Sequence, residues 1–282
     1  MKKQLIHFIR LVNFEFERMI KFLFGIIAIV IVSNLIGSII VPLSYMSEAR
    51  ETMSLESLNV TQFLEMYPSF SISTVTNSLW IYGPLALGIS GFLFYSIYIW
   101  YREWLGKNTF VYRLLMLPIP RIFIFFSKLF TVFIGIFSLL SIQYVMIRLF
   151  YFISPSLVSS DLYKQVDVSE VISSHRAFAF LFPESFGLFA GLYSIGLVFL
   201  LVLFTGILLE RSFRITGFIY GIVYAVISLV LIVLPSFIPT IFKNQYILYP
   251  SEILLLIIAA AIIVSVVSIF LSKYLLEKKI TV

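Results

Sequence analysis

The sequence predicts an all-α polytopic membrane protein with six transmembrane helices, and three observations carry that prediction. Apolar residues make up 61% of the 282 positions and charged residues 12%. Soluble domains carry about 25% charge, so with a mean hydropathy of +1.06 lipid must be the main solvent. Six apolar runs, at 22–41, 79–99, 129–152, 186–208, 215–234 and 253–272, are each long enough to cross about 30 Å of hydrocarbon as a helix. The charge is also lopsided. Segments 1–21, 101–128, 209–214 and 273–282 hold 15 of the 20 Lys and Arg, whereas nine of the 14 acids fall on the other set of ends. The positive-inside rule then puts both termini and 101–128 in the cytoplasm. The whole chain, 1–282, reads as one transmembrane domain.

Residues 1–21 place Leu5, Ile6, Ile9, Val12, Phe16 and Ile20 at helical spacing, with Lys2, Lys3, Arg10, Glu15, Glu17 and Arg18 mostly elsewhere. This predicts an amphipathic helix in the membrane interface ahead of the first span. A signal peptide is a poor fit: the head contains acids, the apolar run comes about twenty residues late, and no small-residue cleavage pattern follows. Pro42 is expected to end the first span, and 42–78 to form a polar external loop. Trp80 and Tyr82 mark one interface of the second span; Tyr98, Trp100, Tyr101 and Trp104 mark the other. The third span contains Arg148, the single charge inside an apolar run, placed to snorkel to the interface. Residues 153–185 read as a second polar external loop. A tight turn at 209–215 separates the fourth and fifth spans. The segment 235–252, broken by Pro235, Pro239 and Pro250, reads as short helical pieces dipping into the outer interface, and the tail after 272 is basic.

The chemistry of the chain excludes several classes. With no cysteine there is no disulfide, thiolate metal site or thiol nucleophile. No phosphate-binding G-x-x-x-x-G-K-[ST], no H-E-x-x-H and no G-x-S-x-G occurs. His7 and His175 fall on opposite sides of the expected membrane and share no metal. No span holds the paired carboxylates of an intramembrane hydrolase, nor the acid or histidine that a proton- or sodium-driven carrier uses to ligate its coupling ion. The basic residues flank spans, so they orient the chain rather than bind nucleic acid. A non-enzymatic role follows, with the energy for any transport supplied from outside. Gly217, Gly221 and Ala225, and separately Gly187 and Gly191, repeat every four residues. That spacing lets helix backbones approach closely, within the chain or across a dimer seam.

The longest charged interruption on the basic side is 101–128. Arg102-Glu103-Trp104-Leu105-Gly106 leaves the second span. Residues 107–117 can form a short helix with Phe110, Val111, Leu114 and Leu115 on one side and Lys107, Asn108 and Arg113 elsewhere, before Pro118 and Pro120 stop it. Such a helix either docks a cytoplasmic partner or lies on lipid headgroups.

In this segment the chain resembles the membrane subunits of type-2 ATP-binding-cassette exporters. Their first cytoplasmic loop has an acid leaving the second span, then Gly and Thr, paired leucines, Pro, Arg and Lys. The matching residues are Glu103, Gly106, Thr109, Leu114-Leu115, Pro118, Arg121 and Lys128. Two features depart from that pattern: Lys107 and Asn108 separate the glycine from the threonine, and the leucines come eight and nine residues after the glycine instead of four and five. The resemblance implies a permease subunit in a bacterial plasma membrane, paired with a second copy or a homologous permease. A cytoplasmic ATPase dimer would bind ATP and magnesium and dock on a coupling helix through Glu103, Trp104, Gly106, Lys107, Thr109, Phe110, Tyr112 and Arg113. This chain would bind no cofactor, and the cargo would be an amphiphile such as a peptide, lipid, glycan or drug. The residues alone leave two alternatives open: a non-transporting membrane sensor or anchor, and a secondary carrier that the uncharged spans disfavour.

Overall fold

The computed structural model describes residues 2–104, 110–242 and 248–280. The chain is an all-helical, membrane-embedded, multi-pass protein. Its helices are α1 (Lys2–Leu55), α2 (Val60–Met66), α3 (Ile72–Thr76), α4 (Leu79–Trp104), α5 (Phe110–Leu115), α6 (Ile122–Leu157), α7 (Val168–Ser174), α8 (Arg176–Leu181), α9 (Phe186–Ile241) and α10 (Pro250–Tyr274). A π-helical turn, Leu275–Lys279, follows α10. Five of these elements are long and apolar enough to cross a membrane: α1, α4, α6, α9 and α10 with its turn.

The helices run further than the apolar runs. The expected interfacial helix, the first span and the start of the expected loop are one helix, α1, with Pro42 inside it. An internal proline costs about 3 kcal/mol in water. Here the helix beyond Pro42 buries Ala49 and packs Tyr45, Met46 and Met53 into a core, which offsets that cost. The helix ends where Ser57 adopts φ 52°. Likewise α9 passes through Pro235 and Pro239 to Ile241, where short broken pieces were expected.

Helix α9 is two antiparallel limbs. Arg214 has φ 56° and ψ −126°, a conformation open in practice only to glycine. A Cβ on Gly221 would lie 3.0 Å from the Gly206 carbonyl oxygen, and one on Gly217 2.1 Å from the Leu209 oxygen. A straight helix would hold 206 and 221 about 22 Å apart, so the chain doubles back at Arg214. The expected tight turn is therefore a one-residue break.

The chain forms two compact units. The first comprises 1–16, 94–132 and 191–282; the second comprises 17–93 and 133–190. In the second, the segments expected to be two polar loops fold together. Phe63, Phe70, Ile72, Val75, Leu162, Val168, Val171, Ile172 and Phe178 share one core with Ile147 and Phe150 of α6. Phe70 donates its backbone N–H to Leu162 at 2.9 Å and accepts from Lys164 at 2.8 Å, forming a single parallel bridge to Tyr163.

His175 locks this cap. Its Nε2–H donates to the Thr76 carbonyl at 3.1 Å, while Nδ1 accepts from the Phe178 N–H at 3.2 Å. The ring stacks on Tyr82 and Phe178, with centroids 4.8 and 4.3 Å away. The Nδ1 contact requires the neutral imidazole, and burial pushes its pKa below the usual range. Deeper in the same unit, Asn34 of α1 donates to Gln143 of α6 at 3.1 Å, with both side chains buried. Such a pair bonds two helices where water is absent.

Candidate functional site

The site is built where α1, α4 and α6 each carry a charge on a buried stripe in the first unit. On α1, Glu15 follows Leu11 by four residues, and both are buried. On α4, Ser96, Ile99, Trp100 and Glu103 form one buried face; on α6, Phe125, Lys128, Leu129 and Val132 do the same. Glu103 is 1% exposed and Lys128 0%.

Lys128 uses all three of its ammonium donors. It reaches Glu15 at 2.5 Å, the Ile99 carbonyl at 3.1 Å and Glu103 at 3.2 Å, and lies 5.5 Å from the Trp100 ring centroid. Arg102 pairs with the other oxygen of Glu15, donates to the Tyr95 hydroxyl at 3.1 Å and stands 3.5 Å from Glu103. Two carboxylates and two cations thus close a neutral cluster. Trp100, Phe125 and Phe204 pack edge to face beside it, which excludes water and strengthens each ion pair. A second contact set continues onto α9. Tyr101 donates to Glu210, and the Arg211 guanidinium lies 4.4 Å from the Tyr101 centroid and 5.7 Å from that of Trp104.

Glu103 and Lys128 are the two ends of the charged segment 101–128, so their ion pair pins its ends together. Arg121 anchors it between those ends, donating to the carbonyl of Leu276 at 2.7 Å, in the π-helical turn after α10, and to that of Ile280 at 3.2 Å just beyond the turn. Leu114 and Leu115 are buried. Among the described residues the part left exposed is Arg113, Met116, Leu117, Pro118 and Pro120, with Met116 68% exposed.

This placement corrects the surface role expected for Glu103, because its carboxylate is spent inside the chain. Trp104 is half-buried against Arg211. Gly106, Lys107 and Thr109 lie outside the described residues, while Phe110 and Tyr112 belong to α5. Arg113 is exposed. Of the small residues, Gly217 and Gly221 are buried at the α9 hairpin, so their close approach is internal. Ala225 is exposed, and a Cβ on Gly187 or Gly191 would meet no described atom within 4 Å. Arg148 is exposed and bonded to Tyr144 of its own helix.

Sequence reasoning missed Glu15, Arg102 and Lys128 as one group. The signal was present: an acid on the Leu11 stripe and a lysine on the Phe125–Val132 stripe each demand an opposite charge. What no pattern showed was that the three stripes meet. Comparisons with protein-family models, with curated proteins and with solved structures found no match to the chain.

Proposed function

We propose that this chain is the permease subunit of an ATP-driven transporter, with six membrane crossings and cytoplasmic termini. In this reading it pairs with a second permease and is driven by a separate pair of ATP-binding-cassette ATPases. The observation that carries the reading is the braced segment 101–128. A buried ion-pair cluster ties its two ends to the helices on either side, and Arg121 ties it to the turn after α10, while Arg113, Met116 and Leu117 remain exposed. A push on that exposed part can pass along the described residues to Lys128 of α6, and through its ion pair with Glu103 to α4. The α9 hairpin supplies the sixth crossing. The resemblance to exporter subunits supports outward transport of an amphiphile across a bacterial cell membrane, with ATP and magnesium held by the partner.

In this reading the docking surface keeps Arg113 from the residues the sequence suggests, gains the exposed Met116 and Leu117 and loses the buried Glu103. The test is purification from native membranes. The chain should bring down an ATPase whose hydrolysis is lost, and whose binding is weakened at least tenfold, in Met116→Asp. That loss is the ~1.4 kcal/mol or more expected for a central interface anchor. An unchanged complex would remove Met116 from the interface.

A second reading, a membrane sensor, draws on the folded cap around Phe70, Ile172 and His175. A folded surface outside the spans, sharing its core with α1 and α6, suits ligand capture. A sensor would retain its ligand after the ATPase is stripped away, whereas the permease reading expects substrate efflux to stop.

A further inference from the structure

We propose that the second unit holds one anionic phospholipid, its acyl chain in an aromatic groove on α6 and its phosphate on Arg148. On α6 the groove is lined by Phe137, Leu140, Ser141, Tyr144 and Val145. Their spacing of three and four residues places them on one face of the helix. The opposite wall is Phe182, which ends α8, and Phe189, near the start of α9. Two aromatic contacts close the ends, Phe137 with Phe189 at 6.3 Å and Tyr144 with Phe182 at 5.8 Å between centroids. The groove is open along one side, with a volume of about 360 Å³ and a lining that is almost wholly apolar. The α6 wall runs from Phe137 to Val145, about 12 Å of helix, which suits a stretch of alkyl chain lying along it.

The chemistry at the end of the groove selects the headgroup. Arg148 lies one turn beyond Tyr144 on the same stripe. It bonds the Tyr144 hydroxyl at 2.9 and 3.3 Å, and the guanidinium carbon stands 5.5 Å from the ring centroid. That contact fixes the cation at the groove mouth. It is exposed, and among the described residues no carboxylate lies within ion-pairing distance of it. A guanidinium anchored at one edge offers its remaining N–H groups in a fork that matches phosphate oxygens. An apolar groove continuous with a fixed cation is complementary to a phospholipid, and the unopposed positive charge favours one of net negative charge over a zwitterionic one, whose own cation competes for the phosphate. This site shares no residue with the ion-pair cluster and does not depend on the transport reading.

The test reconstitutes the full chain in nanodiscs of equimolar phosphatidylglycerol and phosphatidylcholine, and counts by native mass spectrometry the lipids that stay bound. Wild type should retain phosphatidylglycerol over phosphatidylcholine about fivefold, the scale of one basic residue at an anionic surface. Arg148→Gln should bring the ratio to about one, and Arg148→Lys should restore part of it. Val145→Trp should fill the groove and remove the retained lipid of either kind. Positions 145 and 148 are exposed, so these changes leave the packed core in place. A ratio unchanged in Arg148→Gln, or lipid retention unchanged in Val145→Trp, would reduce the groove to ordinary annular contact and overturn the proposal.

Discussion

At the scale of single residues, the chain uses charge and polarity inside its helices as fasteners. Lys128 is the clearest case, because each of its three donors has an acceptor. Removing it leaves Glu15 and Glu103 buried with too little positive charge. Lys128→Met is therefore expected to cost about 3–5 kcal/mol, read as a fall in the unfolding midpoint in detergent. The double variant with Glu15→Gln should cost less than the sum of the two single variants, because it removes the charge left behind. Additive losses would show that the two side chains are not coupled. His175 gives a second residue-scale test. The unfolded chain takes up its proton near pH 6.5 and the folded chain only at lower pH, since burial depresses its pKa. Stability from this residue is thus complete above about pH 6.5 and declines as pH falls toward the depressed value. Burial is the larger effect; the Thr76 carbonyl that accepts from the ring works against it without reversing it, and Tyr82 and Phe178, stacked on the ring, carry no charge. The unfolding midpoint of wild type should drop between pH 7 and pH 5 by more than that of His175→Gln. Equal drops would remove His175 as the cause.

At the scale of elements, the α9 hairpin concentrates strain and close approach in a few residues. Arg214 holds a conformation that costs a side-chain-bearing residue about 1–3 kcal/mol. Arg214→Gly should raise the unfolding midpoint, and a fall would show that the arginine side chain contributes more than the backbone loses. Gly221→Leu drives a side chain into the Gly206 backbone and is expected to open the hairpin, whereas Gly187→Leu faces open space and should leave the single chain's stability unchanged. Comparable losses in both would contradict the packing. The apolar cores of these helices were legible in the sequence, because hydropathy alone marks them. Their ends were not. Pro42, Pro155, Pro235 and Pro239 all lie inside helices, since burial of neighbours such as Ala49 outweighs one lost backbone bond. The fold of 42–78 with 153–185 was equally hidden. It rests on contacts more than 90 residues apart, such as Thr76 with His175, for which no local pattern exists. In the site, the brackets Glu103 and Lys128 were visible as motif residues, but their partner Glu15 belongs to a helix read as a surface element.

At the scale of the whole molecule, the long limbs of α9 and α10 leave Ile219, Ile222, Val226, Val230, Leu255, Ile258 and Ile262 uncovered. In a bilayer those faces are solvated by lipid or by other membrane helices, and their exposure needs no further fold. The molecule thereby joins two kinds of order: lipid-facing helices held by a few polar fasteners, and a braced cationic segment presenting a small exposed apolar tip. The proposed role rests on that tip. If the segment transmits force, the brace and the tip must fail differently. Lys128→Met should lower both stability and ATPase coupling, whereas Met116→Asp should leave the unfolding midpoint within about 0.5 kcal/mol of wild type and affect coupling alone.

The most direct measurement is ATP hydrolysis by the assembly purified from its native membrane through a tag on this chain. The account expects magnesium-dependent hydrolysis to co-purify with wild type and with Arg148→Gln, and to be lost with Met116→Asp although that variant folds normally. No co-purifying hydrolysis with wild type, or equal hydrolysis with Met116→Asp, would contradict it.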